Sequence, residues 1–168
     1  MMQCFDRLAA THGVEKIKTI GDAYMAAAGV PEPVADHAPR LARMALAMLQ
    51  ATEQMSREFG VALQLRIGIA SGPVMAGVIG AKRLTYDVWG DTVNLASRLE
   101  GQSEPGRVLV AKATRDRLAG EFHLESGGAI DLKGFGVVET YVLECPAEWS
   151  AGTGRWPRNV SREAVKGS

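Results

Sequence analysis

Only two cysteines, Cys4 and Cys145, occur in the 168 residues, so at most one bridge can form and a disulfide-stapled framework is excluded. Free thiols in a reducing compartment are the simpler reading, and the expected location is the cytoplasm. Net charge is equally scarce. The 19 basic side chains balance 19 acidic ones, so no whole-molecule field draws in a polyanion, and nucleic acid is not an expected partner. No stretch approaches the roughly 18 consecutive apolar residues that a spanning helix needs, so no membrane segment is expected in this chain. The first apolar stretch carries Asp6 and Arg7 where a signal peptide would have an unbroken hydrophobic core. No G-x-x-x-x-G-K-[ST] occurs either, which removes the P-loop route to a bound triphosphate.

What is present is a balanced composition, 46% hydrophobic and 23% charged, at a length that buries a core in one domain. Residues 1–12 read as a helix with Phe5, Leu8 and Ala9 on one face and His12-Gly13 as its stop. The runs 14–20 and 23–29 flank Gly21-Asp22 and predict a hairpin with Asp22 at its tip. Asp36 is expected to cap the longest helix, 36–59, with Leu41, Ala45, Met48, Leu49, Met55 and Phe59 as its apolar stripe and Gly60 as its end. Alternation of Leu63, Leu65, Ile67 and Ile69 predicts a strand over 63–70. Extended runs at 74–79 and 84–88 lead into a helix from Gly90-Asp91 to about Leu99, with Val93, Ala96 and Leu99 inward. A strand at 107–111, a helix at 112–119, an extended run at 122–132 and a strand at 140–143 follow. No βαβ repeat dominates, so the expected class is α+β, with helices packed on a mostly antiparallel sheet. Residues 146–168 lose periodicity and read as a flexible tail, with Trp149 and Trp156 its large apolar groups.

Three clusters carry candidate chemistry. Asp22, in Lys18-Thr19-Ile20-Gly21-Asp22, is either a plain turn residue or a carboxylate presented to Mg²⁺, an ion that takes few protein oxygens and keeps its waters. Asn94 and Arg98 stand at i and i+4 and project from one helix face. They are either an exposed polar face, or an amide and a guanidinium suited to a ribose and to charge on phosphorus. Lys133, in Asp131-Leu132-Lys133-Gly134-Phe135-Gly136, either reaches a phosphate or caps a loop, and Lys82 has the same ambiguity.

Together, the stretches EKIKTIGDAYMAAAGVP, LRIGIASGPVMAGVIGAKRLTYDVWGDTVNLASRLE and IDLKGFG resemble the class III adenylyl/guanylyl cyclase catalytic domain, in family order and spacing. The resemblance covers residues 1–145 and implies a ferredoxin-like core, two Mg²⁺ or Mn²⁺ ions, and a homodimer whose two active sites are shared between protomers. By that resemblance Asp22 matches a metal-binding aspartate, and Lys18 and Asp87 match the purine-selecting pair. Asn94 matches the ribose-positioning residue, Arg98 the residue stabilising the transition state, and Lys133 a triphosphate-binding lysine. Lys82 falls where a further basic phosphate contact is often found, while Phe135 replaces a second basic residue often seen after Lys133-Gly134. In the family's dimer the metal aspartates come from one protomer and the purine, ribose and Lys133 functions from the other.

Adenine offers an acceptor at N1 and a donor at its amine, which suit Lys18 and Asp87; guanine reverses both. Guanylyl members usually carry Glu and Cys at these positions. The expected activity is therefore conversion of ATP to 3′,5′-cyclic AMP and pyrophosphate in cyclic-nucleotide signalling. The family's first strand, with a Phe-x-Asp-Ile-x-Gly-Phe-like motif and the first metal aspartate, has no counterpart, and Asp6 lies on the incoming helix. The expectation is thus an N-terminally truncated domain, inactive or weak by itself and prone to expose unpaired strand edges. The alternative is a catalytically dead remnant that binds nucleotide or dimerises, including as a heterodimer with a complete cyclase.

Overall fold

The computed structural model describes residues 1–80 and 84–144; Lys82, Cys145 and the expected tail at 146–168 lie outside them. Helix α1 (Met2–His12) buries Phe5 and Ala9 and stops at Gly13, whose φ of 64° few side chains tolerate. Strands β1 (Glu15–Ile20) and β2 (Ala23–Ala27) form the expected antiparallel hairpin with Gly21-Asp22 at the turn. Helix α2 (His37–Phe59) ends at Gly60, also left-handed. Then follow β3 (Ile67–Ile69), β4 (Met75–Ile79), β5 (Thr85–Trp89), α3 (Asp91–Gln102), β6 (Val108–Ala111), α4 (Lys112–Leu118), β7 (Leu124–Leu132) and β8 (Gly136–Leu143).

The central sheet has the order β3-β6-β8-β7, with β3 and β6 parallel and the other pairs antiparallel. The β1–β2 and β4–β5 hairpins form separate two-stranded ladders. The α+β class with a mostly antiparallel pattern is as expected. Strand β6 is buried on both faces because alternate side chains serve different layers. Val108 and Val110 join Ala38, Ala42, Ala45 and Leu46 of α2 together with Leu118 and Leu143. Leu109 and Ala111 join Leu99 of α3 and Leu132. A third cluster, Phe5, Ala9, Val14, Met44 and Met48, packs α1 on α2, and Tyr24 and Ala26 of β2 rest on it beside Leu65 and Ile67.

Local details differ from expectation. The strand foreseen over 63–70 is regular only at 67–69, because Ser56 Oγ donates to Val61 O and accepts from Leu63 N–H, curling 61–63 back toward α2. The α2 stripe is wider than foreseen, taking in Ala38, Ala42 and Met44, since this helix serves two clusters. Phe59, foreseen in that stripe, is 70% exposed in the last turn. Asp36 occupies the N-cap position without a capping hydrogen bond and instead pairs with Arg40 at 2.8 Å. At α3 the N-cap is Gly90, with Asp91 the first helical residue.

Gly68 fixes the seat of α3. A Cβ there would lie 2.2 Å from the Glu100 nitrogen and 2.3 Å from the Ala96 oxygen. Only hydrogen fits between β3 and α3, and the polar face of that helix is positioned by this contact.

Candidate functional site

Lys18 lies on β1 just past a bulge, where Lys16 pairs with Ala26 and Lys18 with Met25, leaving Ile17 without a register partner. Bulges re-aim side chains. Lys16 turns to α1, where Asp6 accepts from it at 2.8 Å, and Lys18 turns to β5. The Lys18 Nζ donates to Asp87 Oδ2 at 2.7 Å, joining residues 69 apart in sequence. The other oxygen, Asp87 Oδ1, accepts the Val88 N–H at 2.8 Å. The pair is 39% and 21% exposed, so it is reachable yet partly shielded from water. The Lys18 ammonium, and next the Val88 N–H, hold the Asp87 carboxyl below its ordinary pKa.

Asn94 and Arg98 sit on the exposed side of α3, opposite Leu95 and Leu99, which face the sheet. Among the described residues no carboxylate pairs with Arg98, so its guanidinium is available to a ligand. Lys133 is exposed in the turn between β7 and β8, and the neighbouring Phe135 packs on the same cluster as Leu95 and Leu99. That contact seats the Lys133 turn on the layer that also holds Leu99 of α3 and Leu109 of β6. The fold therefore joins Lys18 directly to Asp87, while Asn94 and Arg98 lie on α3, the helix that follows β5, and Lys133 lies in the β7–β8 turn.

Asp22 stands apart, exposed at the tip of the β1–β2 hairpin. Among the described residues no three His, Cys, Asp or Glu side chains gather as a metal-holding group. One exposed carboxylate supplies one ligand, and these residues by themselves do not fit a two-ion centre. Lys82 lies outside the described residues.

Two features of the structure carry no signal in the sequence. Asp6 accepts from Tyr24 Oη at 3.0 Å as well as from Lys16, whose ammonium lies 5.4 Å from the Tyr24 ring centre. Burial, and then the Asp6 carboxylate, push the Tyr24 hydroxyl far above its ordinary pKa, so it stays a neutral donor. This network ties α1 to the hairpin carrying Lys18 and Asp22. The second feature is the surface beside Asp87, where Gly77 is the cross-strand partner and Trp89 lies two residues on. Neither residue type signals a site by itself. Two cavities, of about 330 Å³ beneath the end of α2 and about 390 Å³ beside His12, Arg40 and Arg43, are not lined by any of the candidate residues.

Residues 1–145 match the family described as the Adenylate and Guanylate cyclase catalytic domain. An adenylate cyclase of Mycobacterium bovis is 45% identical over 143 residues, which is 85% of this chain and 32% of that protein. Guanylate cyclase soluble subunit beta-2 of Rattus norvegicus is 45% identical over 145 residues, 85% of this chain and 21% of that protein. The chain thus spans a third or less of these relatives' length. Among solved structures, the guanylate cyclase domain of RhGC from Catenaria anguillulae in complex with GTP has a TM-score of 0.81 at 36% identity, covering 86% of this chain and 79% of that one. Relatives of both base specificities stand at equal identity.

Proposed function

The chain belongs to the adenylate and guanylate cyclase catalytic domain family, and on that premise we propose that it acts on ATP, forming 3′,5′-cyclic AMP and pyrophosphate. The Lys18–Asp87 pair carries this reading. Lys18 has only donors and the ionised Asp87 only acceptors, so together they complement adenine N1 and its amine. Guanine would set a donor against the ammonium and an oxygen against the carboxylate. Each such mispairing costs about 1–3 kcal/mol, and more where a charge is involved. Asn94 orients the ribose so that its 3′-oxygen faces the α-phosphorus. As the 3′-hydroxyl gives up its proton to solvent, the O3′–phosphorus bond forms and the bond to the β-phosphate's bridging oxygen breaks, and Arg98 faces the charge gathered on the phosphoryl oxygens. Lys133 holds the triphosphate end, which leaves as pyrophosphate.

The proposed assembly is a homodimer with shared sites. The β4–β5 hairpin and the tip of β1 support it, since Ile20, Met75, Val78, Ile79 and Leu84 are all at least half exposed. A second copy would remove that apolar surface from water. Asp22 would supply a carboxylate to a Mg²⁺ or Mn²⁺ ion in such an assembly, facing the nucleotide held by the partner's α3. A second reading, a module that binds nucleotide and dimerises without turnover, is favoured by the isolation of Asp22. Pairing with a complete cyclase belongs to that reading.

Cyclic AMP formation with Mn²⁺-ATP, measured across protein concentrations, separates the two. Turnover that rises with dimer formation and disappears in Arg98→Ala is the result expected of an enzyme. A dimer that binds ATP without turnover establishes the binding module. A preference for GTP overturns the assignment of Lys18 and Asp87.

A further inference from the structure

Lys16 and Lys18 stand two residues apart on β1, and an unbroken strand would send both ammoniums to one face. The bulge prevents this. Register runs Lys16 to Ala26 before it, and Lys18 to Met25 and Thr19 to Tyr24 after it. Lys16 therefore shares a face with Tyr24 and Ala26, while Lys18 shares the opposite one with Met25. Tyr24 and Ala26 rest on the α1 cluster, and α1 meets them with Asp6. Both Asp6 oxygens accept from Lys16 Nζ, at 2.8 and 3.0 Å, and Oδ1 also accepts from Tyr24 Oη at 3.0 Å. Phe5, the residue before Asp6, is buried and meets the Tyr24 ring edge-on at 5.8 Å between centres. An exposed ion pair by itself contributes little. Here one carboxylate holds two residues, on opposite strands and on opposite sides of the bulge, and Phe5 anchors the helix that carries it.

We propose that Asp6 is a positioning residue for the choice of base: its clamp on Lys16 and Tyr24 locks the bulge, and the locked bulge aims Lys18 at Asp87. This rests on the cyclase reading above and deepens it, because selectivity then depends on α1 as well as on the pair that reads the base. Lys18 is the first paired residue past the bulge, so the bend and added twist there set its direction. A strand that relaxes at residue 17 swings Lys18 away from β5 and leaves Asp87 without its donor.

The test makes two measurements on the whole chain: the affinities of non-hydrolysable ATP and GTP analogues by calorimetry, and the titration of the Asp87 carboxyl by NMR. Asp6→Ala and Lys16→Met each break the clamp, and Lys16→Met does so without leaving a second free ammonium. Alanine is also a stronger helix former than aspartate, so α1 itself is preserved. Both variants are expected to lower the ATP-to-GTP affinity ratio about fivefold or more. In Lys16→Met the Asp87 carboxyl pKa, held down by Lys18 in the parent, should climb toward its ordinary value. Tyr24→Phe, which removes one hydroxyl and keeps the ring on Phe5, should show the same shifts in smaller measure. Exchanging the charges, as Asp6→Lys with Lys16→Asp, remakes the pair and should restore both readouts, which a role in helix stability alone would not do. An unchanged ratio in Asp6→Ala and Lys16→Met, with Asp87 still titrating low, overturns the clamp and leaves the cyclase reading standing. A ratio that falls in Lys16→Met while Asp87 keeps its lowered pKa also overturns the clamp, because Lys18 has then not moved. A parent chain with no preference between the analogues overturns the base assignment of Lys18 and Asp87, and the Asp87 titration then decides by itself whether Asp6 aims Lys18.

Discussion

At the scale of single residues, Lys18 and Asp87 show what one sequence yields and what it withholds. Their chemistry is legible, since an ammonium and a carboxylate have fixed donor and acceptor roles. That they touch at 2.7 Å across 69 residues is not, because strand alignment is set by the whole sheet. Exchanging both, as Lys18→Glu with Asp87→Cys, is expected to erode the preference for ATP over GTP; unchanged selectivity in that double variant would sink the assignment. Acid dependence follows from the same contact. Asp87 has its carboxyl pKa lowered by Lys18, so the ion pair persists above the ordinary carboxylate value and fails only as pH falls through the lowered one. Relative binding of ATP and GTP should therefore stay flat from about pH 8 to about pH 5 and fade below about pH 4. A midpoint near neutrality would assign the discrimination to some other group.

Elements depend on local and distant causes in different proportion. The ends of α1 and α2 at Gly13 and Gly60 are legible because a left-handed stop is written in one residue. So is the Asp22 hairpin. The shortening of β3 is not, because Ser56 captures residues 61–63 from the preceding helix and no alternation pattern records that. Gly68 is a similar case: the alternation of the strand passes through it unmarked, whereas the structure makes it the floor on which α3 rests. Gly68→Ala should lift α3 from β3 and cost about 1–3 kcal/mol by overpacking. Cyclase turnover is expected to fall with it, because Asn94 and Arg98 ride on the displaced helix, while the ATP-to-GTP ratio survives. Urea melts together with turnover on both nucleotides check this. Loss of the ratio with α3 function intact would show that the helix is not what Gly68 positions. Leu99→Ala, which empties a fully buried site beneath the same helix, should cost about 2–5 kcal/mol.

For the whole molecule, the α+β class is legible from the order of elements, yet the division of the strands into three ladders is not, since register and sheet membership are decided by packing. The proposed shared sites predict complementation. Mixing an Asp22→Ala chain with an Arg98→Ala chain should restore activity through one intact composite site per heterodimer, and no recovery in a confirmed heterodimer would count against sharing. Ladders that share no rungs have another consequence, which concerns time rather than geometry. Each can open on its own clock, so backbone deuterium uptake should fall into separate tiers, with the β1–β2 and β4–β5 hairpins labelling before the interior strand β6. The Lys18–Asp87 contact is a bolt between the two faster hairpins. A bound nucleotide that bridges both residues would slow the two clocks together, and a base-free polyphosphate would leave them ticking apart.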